Sequence, residues 1–310
     1  MLDGAWGRQS RSVADAGPLI GLRMWVGPGL GLLRIGPAWA ALAGALASAA
    51  PLLAGATPLR LAGAVLLADA VWGVLWRLRP PAPAPDPLRR GRPVAAADGL
   101  SRLPYYQADS PAGRAVRLLD MMAAGVTWRE LLAAVALAAG VGLLLGPPAL
   151  LLTLVAWVVA LWGWLLAQSG RQPAACDALL NVGLPWLLGL DLAASAPGGM
   201  WGPARDGALP LAGLALGAAF TALSWGARRA FLSQGRRTGG VWLGQAAVVV
   251  ALIALQQTAA LIVVTLSLAP PAWLIWRHTF AGEDVRDALA RSGPWWLAAM
   301  LVAAAALMLV

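Results

Sequence analysis

The sequence predicts an all-α membrane protein with about nine transmembrane helices, and three observations carry that prediction. Hydrophobic residues fill 60% of the 310 positions and charged residues only 12%, against roughly a quarter charged in soluble domains. The mean hydropathy is +0.71, and charge-free runs of about 18–22 residues recur, the length a helix needs to cross a bilayer. The runs are also uninterrupted, unlike the weak alternation of a membrane barrel, and a helix satisfies its own backbone in lipid.

Residues 1–36 read as a cytoplasmic or interfacial arm. They hold four arginines, several glycines, and no compact apolar core followed by a small-residue cleavage site. The polytopic domain follows over 37–310, with spans expected near 37–55, 58–78, 130–146, 148–168, 177–196, 208–226, 241–257, 259–276 and 293–310. Between the second and third lies a long loop, 79–129. It opens with the stiff, proline-rich RPPAPAPDPLRRGRP and closes with a stretch, Pro111 to Met122, spaced as a short amphipathic interfacial helix. The apolar stretch 130–168 is too long for one crossing, and Gly146–Pro147–Pro148 breaks it into a hairpin. The stretch 241–276 would be about 54 Å long as one helix, so a turn is expected at its only polar interruption, Gln256 to Thr258. The sixth loop, GARRAFLSQGRRTGG, is short and carries four arginines.

Charge orients these spans. The 23 basic residues are all arginine, a bias expected of a GC-rich bacterial genome, and the net charge is +9. With the N-terminus inside, the arm and the second, fourth, sixth and eighth loops hold 4, 9, 1, 4 and 3 of the arginines. Only Arg60 and Arg205 fall on the other side, so the arginine excess of cytoplasmic loops accounts for the charge without a nucleic-acid partner. The expected location is a bacterial inner membrane, N-terminus in and C-terminus out.

Much chemistry is excluded early. One cysteine, Cys176, and one histidine, His278, leave no internal disulfide, no thiolate metal cluster and no bis-histidine haem. No phosphate-binding loop, serine triad, zincin motif or dinucleotide fingerprint stands in a credible context; the glycines of GPGLGLLRIG follow no strand.

Three pieces, together with the layout, carry a resemblance: RIGPAWAALAGALAS from Arg34, GRRTGGVWLGQAAVV from Gly235 and ALARSGPWWLAAML from Ala288. Nine spans with notable cytoplasmic loops after the second and sixth resemble the UbiA family of intramembrane prenyltransferases. That resemblance implies two acidic motifs, at the cytoplasmic ends of the second and sixth helices, which hold Mg²⁺ and through it a prenyl diphosphate. Carboxylates four apart share a helical face and suit this work. Here the first motif keeps Asp69, with Val65 where asparagine stands and Gly73 in place of the second aspartate. The sixth helix ends with Ser224 and Arg228 at the four-spaced positions, which cannot bind magnesium. No metal ligand set and no catalytic residue is therefore assigned.

The remaining candidates concern a lipid and its headgroup. Asp69, in an apolar run, should face the bundle and have a partner. Trp72 and Trp76 share its face at helical spacing and would wall a pocket, or simply form an interfacial belt. Tyr105 and Tyr106 would close over a headgroup or anchor their loop. Arg228, Arg229, Arg236 and Arg237 could bind phosphate groups without a metal. Of the other tryptophans, Trp25, Trp39, Trp128, Trp273, Trp276, Trp295 and Trp296 fall near span ends as a belt, and Trp157, Trp162 and Trp164 lie deeper. Asp177 and Asn181 are a thin metal pair, better read as a first-turn acid and its neighbour; His278 is placed at the interface, and Gly282 to Asp287 reads as a solvated helix start.

The expectation is a non-catalytic member of this type. It would bind an isoprenoid, quinone or pigment lipid, with no certain cofactor, and work beside other membrane-protein subunits as a subunit or assembly factor. The alternatives are a divergent prenyltransferase acting on a lipophilic acceptor and a small-solute permease.

Overall fold

The computed structural model describes residues 36–48, 57–72, 128–168, 171, 173–194, 208–282 and 284–308. Among them the chain is helical, without a strand. Helix α1 is Pro37–Ala47. Helix α2 is Thr57–Val65, running on into a π-helical turn at Leu66–Val71. Helices α3 and α4 are Trp128–Leu145 and Pro147–Gln168. Helix α5 starts at Ala174–Ala178, widens into a second π turn at Leu179–Gly183 and resumes over Leu184–Ala194. Helices α6, α7, α8 and α9 are Ala208–Leu232, Gly239–Ala254, Thr258–Ala281 and Val285–Met308. Three are long and apolar enough to cross a membrane: Pro147–Ala167, Ala174–Leu192 and Thr258–Ala281.

Both expected breaks are present, for the reasons expected. Gly146 adopts φ +111° and donates its N–H to Gly142 at 2.9 Å, so α3 ends where two prolines begin α4. Gln256 has φ +55°, and the Gln257 N–H closes on the Leu252 carbonyl at 3.1 Å. Hydropathy misplaces the polar ends. Helix α9 begins at Val285 and not near 293, because Asp284 caps it: its Oδ1 accepts the Arg286 N–H at 3.0 Å and its carbonyl the Ala288 N–H at 3.1 Å. That supports a helix start in Gly282–Asp287. Helices α6 and α8 likewise run five or six residues past their apolar stretches. The loop 79–127 and the arm 1–35 lie outside the described residues.

Helix α5 sits at the centre. Within its span 78% of residues are buried, against 33% for α4 and 28% for α8, and it packs on α1, α2 and α6. Trp186 anchors it: the indole N–H donates to the Gly213 carbonyl of α6 at 2.9 Å, and the ring stacks 6.0 Å from Phe220. Trp186→Phe should lower stability by about 1–3 kcal/mol, from the lost hydrogen bond and the partly emptied ring site. Thermal unfolding of both proteins in one detergent checks this. On its other side α5 touches α1 backbone to backbone. A Cβ on Gly44 would land on the Trp186 carbonyl, and one on Gly189 on the Ala41 carbonyl, the close contact that small residues permit between membrane helices.

The outward faces are apolar. Leu151, Leu154, Val158 and Trp162 of α4, and Ile262, Leu266, Trp273, Trp276 and Phe280 of α8, are exposed. The last three form an aromatic ladder with ring centroids 4.9 and 5.2 Å apart. The tryptophans divide unevenly against the belt expected of them. Trp273, Trp276 and Trp295 are exposed, but Trp296, about 100° further round α9 than Trp295, is buried against the core. Trp39 packs half-buried on that core too. Trp164 is buried, Trp157 packs on the α2–α5 core, and Trp162 faces outward.

Candidate functional site: an arginine-lined cavity

The site begins with the last two turns of α6, WGARRAFL, where adjacent arginines point to different sides of the helix. Arg228 turns toward α5 and pairs with Asp177, Nε to Oδ2 at 2.5 Å; the acid side chain is 3% exposed and the arginine 39%. Both charges suit their helix ends, an acid in the first turn of α5 and a cation near the end of α6. Arg228 also lies over the Phe231 ring at 5.3 Å, and Arg286 from α9 approaches the same ring at 5.5 Å. Arg229, one residue on, lies over the Trp225 ring at 5.2 Å and faces a cavity.

A tight turn returns the chain to that cavity. The Gly235 N–H closes on the Ala230 carbonyl at 2.9 Å, with Gln234 at φ +52° and Gly235 at φ +83°, the left-handed closure common at helix ends. Glycine suits 235 because of its left-handed backbone angle, and a Cβ there would also displace the His278 imidazole. The reversal brings Arg236 and Arg237 to the side of Arg229. From the α4–α5 connection comes Arg171, which sequence reasoning had not singled out. The cavity measures about 780 Å³ and is lined by these four arginines together with Trp225, Ser233 and Gln234 among others; no carboxylate lines it among the described residues.

The acidic positions are elsewhere. Asp69 is 2% exposed, in the π turn of α2, and Trp72 is 1% exposed. Trp72 is thus inside the bundle and not in a belt, and its indole N–H meets no acceptor among the described residues. The π turn also alters the expected register: the Trp72 backbone N–H reaches Leu67, five residues back. Gly73, Trp76, Tyr105 and Tyr106 lie outside the described residues. Asn181 donates its amide to the Asp177 carbonyl at 2.6 Å, which ties it to its own helix.

The residues do not fit the magnesium site that the resemblance implies. Asp69 has Gly73 as its four-spaced successor. At the end of α6 the corresponding position is Arg228, whose guanidinium holds the nearby acid Asp177. No group of three histidine, cysteine or acidic side chains converges among the described residues.

One further buried acid, Asp191, went unremarked in the sequence. It lies near the far end of α5, 3% exposed, and feels the positive charge of Arg60 at the start of α2. The signal was there: an acid in one apolar run and an arginine, Arg60, in another. Comparison with protein families, with curated proteins and with solved structures finds nothing that matches this chain.

Proposed function

We propose that the protein is a UbiA-like nine-span bundle of the bacterial inner membrane, N-terminus in the cytoplasm. In this reading it binds an isoprenoid, quinone or pigment lipid without turning it over, as a subunit or assembly factor of a membrane complex. One observation carries the reading: where the family's second metal motif would stand, Arg228 is ion-paired with Asp177, while an arginine-lined cavity opens at the same end. Ionising a diphosphate calls for its developing charge to be neutralised, worth several kcal/mol from metal ions. Recognising one needs only well-placed cations.

A gentle-detergent purification at native expression level tests this, with particle mass and extracted lipids identified by mass spectrometry. The expected particle is larger than the 31.9 kDa chain, in fixed stoichiometry with partners, and carries a defined lipid. A lone chain that consumes an allylic diphosphate in the presence of Mg²⁺ would sink the reading.

A divergent prenyltransferase is the second reading, and the buried Asp69 in a π turn favours it, since such turns are frequent at functional sites. Asp69→Asn separates the two. The binder keeps its lipid and partner stoichiometry and loses about 1 kcal/mol of stability; the enzyme loses turnover.

A further inference from the structure

We propose that the outward face of α8 is the contact between two copies of this chain, which associate side by side in the membrane. The inference goes beyond the lipid-binding reading and does not rest on it.

Two adjacent prolines, Pro270 and Pro271, lie inside α8. Neither has an N–H, so the carbonyls of Leu266 and Ser267, four residues earlier, lose the donors that a helix would give them. A side-chain hydroxyl can fill such a gap by reaching a carbonyl three or four residues back. The residues at those distances are Ala269, Pro270 and Pro271, and none carries a side-chain donor. Helices α7 and α9, which pack on α8, leave the gap open too. Their buried donors, the Gln245 amide and the Trp296 indole N–H, meet no acceptor among the described residues. The Ser292 hydroxyl donates to the Ala288 carbonyl at 2.7 Å.

Depth makes this costly. Leu266 is 67% exposed on the outward face. It lies about 12 Å along the axis from one end of α8 and about 22 Å from the other, within a hydrocarbon layer about 30 Å thick. Lipid chains offer no donor, so protein must meet a backbone carbonyl there. The donor has to come from outside the bundle.

The same face carries one. Thr153, Thr221, Ser267 and Ser292 each donate to the carbonyl four residues back. Thr265 is exposed, and its hydroxyl has no hydrogen-bond partner among the described residues. Ala269, one turn on, is exposed and small, which lets another backbone come close. A surface that holds both a spare donor and an unmet acceptor is self-complementary. Under a two-fold axis along the membrane normal, each copy gives the other what it lacks. A helix from a different protein would have to bring its own donor, and nothing on α8 selects one.

Cross-linking in native membranes tests this on the full-length protein, whose single cysteine, Cys176, is buried. With a thiol oxidant, Ala269→Cys gives a band at twice the 31.9 kDa chain mass. Ile262→Cys, two turns earlier on the same exposed face, repeats the result should the first variant fail to insert. Leu154→Cys, on the outward face of α4, gives no such band and controls for collision. Sedimentation equilibrium in neutral detergent then reads the strength of the dimer. Thr265→Val weakens it by about threefold to tenfold, the usual size of one interhelical hydrogen bond. Pro270→Ala returns an N–H to the Leu266 carbonyl, so it weakens the dimer by a similar factor and leaves thermal unfolding of the monomer unchanged or higher. A band that joins the chain to a protein of another mass, equal cross-linking at position 154, or a dimer indifferent to both Thr265→Val and Pro270→Ala overturns the inference.

Discussion

Gly189→Leu is expected to abolish folding, and Gly189→Ala to cost about 3 kcal/mol, the upper end of the usual penalty for overpacking. At Gly189 the obstacle is the Ala41 carbonyl, and at Gly44, across the contact, it is the Trp186 carbonyl. Backbone cannot change rotamer to make room. The helices must move apart, and α5 carries the Trp186 contacts to α6 with it. Little of this loss is recovered by shrinking neighbours, so Gly189→Ala combined with Ala41→Gly should remain close to the single variant. Yield of monodisperse protein and thermal unfolding in detergent give the readout. A Gly189→Leu protein that purifies and melts like the parent would show that α1 and α5 do not touch here.

Arg228→Ala is expected to destabilise by about 2–4 kcal/mol, and Asp177→Asn by clearly less. Removing one partner of a buried ion pair leaves an uncompensated charge, at about 3–5 kcal/mol when both are buried. Here the burial is unequal, 3% exposed for the acid and 39% for the arginine. Deleting the arginine takes an ion-pair partner from a buried carboxylate, whereas neutralising the acid leaves an arginine that water already reaches. The pair is partly screened, which lowers the estimate from the fully buried figure. The double variant Asp177→Asn with Arg228→Ala should recover much of the loss, and unfolding of all three in one detergent decides the order. Equal losses from the two single changes would mean that the carboxylate is not sealed from water.

Helical class, the Gly146 hairpin and the turn after Leu255 were legible in the sequence, because each rests on local chemistry: apolar runs, prolines and one polar interruption. Polar helix ends were not. Arg286, Asp287 and Arg291 continue α9 below its apolar part, and a hydropathy reading stops where charge begins. Half the site was legible too. Four arginines in the sixth loop announced a basic site, but Arg228 and Arg229 look alike in sequence and differ only in which side of α6 each leaves. Arg171 joins through tertiary packing, about 60 residues away in the chain, and no periodicity reaches that far. The register at Asp69 failed for another reason. Spacings of three and four assume an unbroken α-helix, and the π turn at Leu66–Val71 violates that assumption locally.

The second π turn, at Leu179–Gly183, sets the rotational phase of everything above it on α5. An α-helix advances about 100° per residue. Were the same residues to run through this turn as a regular α-helix, Leu184–Ala194 would therefore swing by roughly that angle relative to the first turn. Trp186 would leave its carbonyl on α6, Gly189 would no longer face α1, and Asp191 would turn from Arg60, while Asp177 kept its arginine. One extra residue thus lets a single helix serve two sets of neighbours, the arginine end below and the core above, that a regular repeat would not bring into register together.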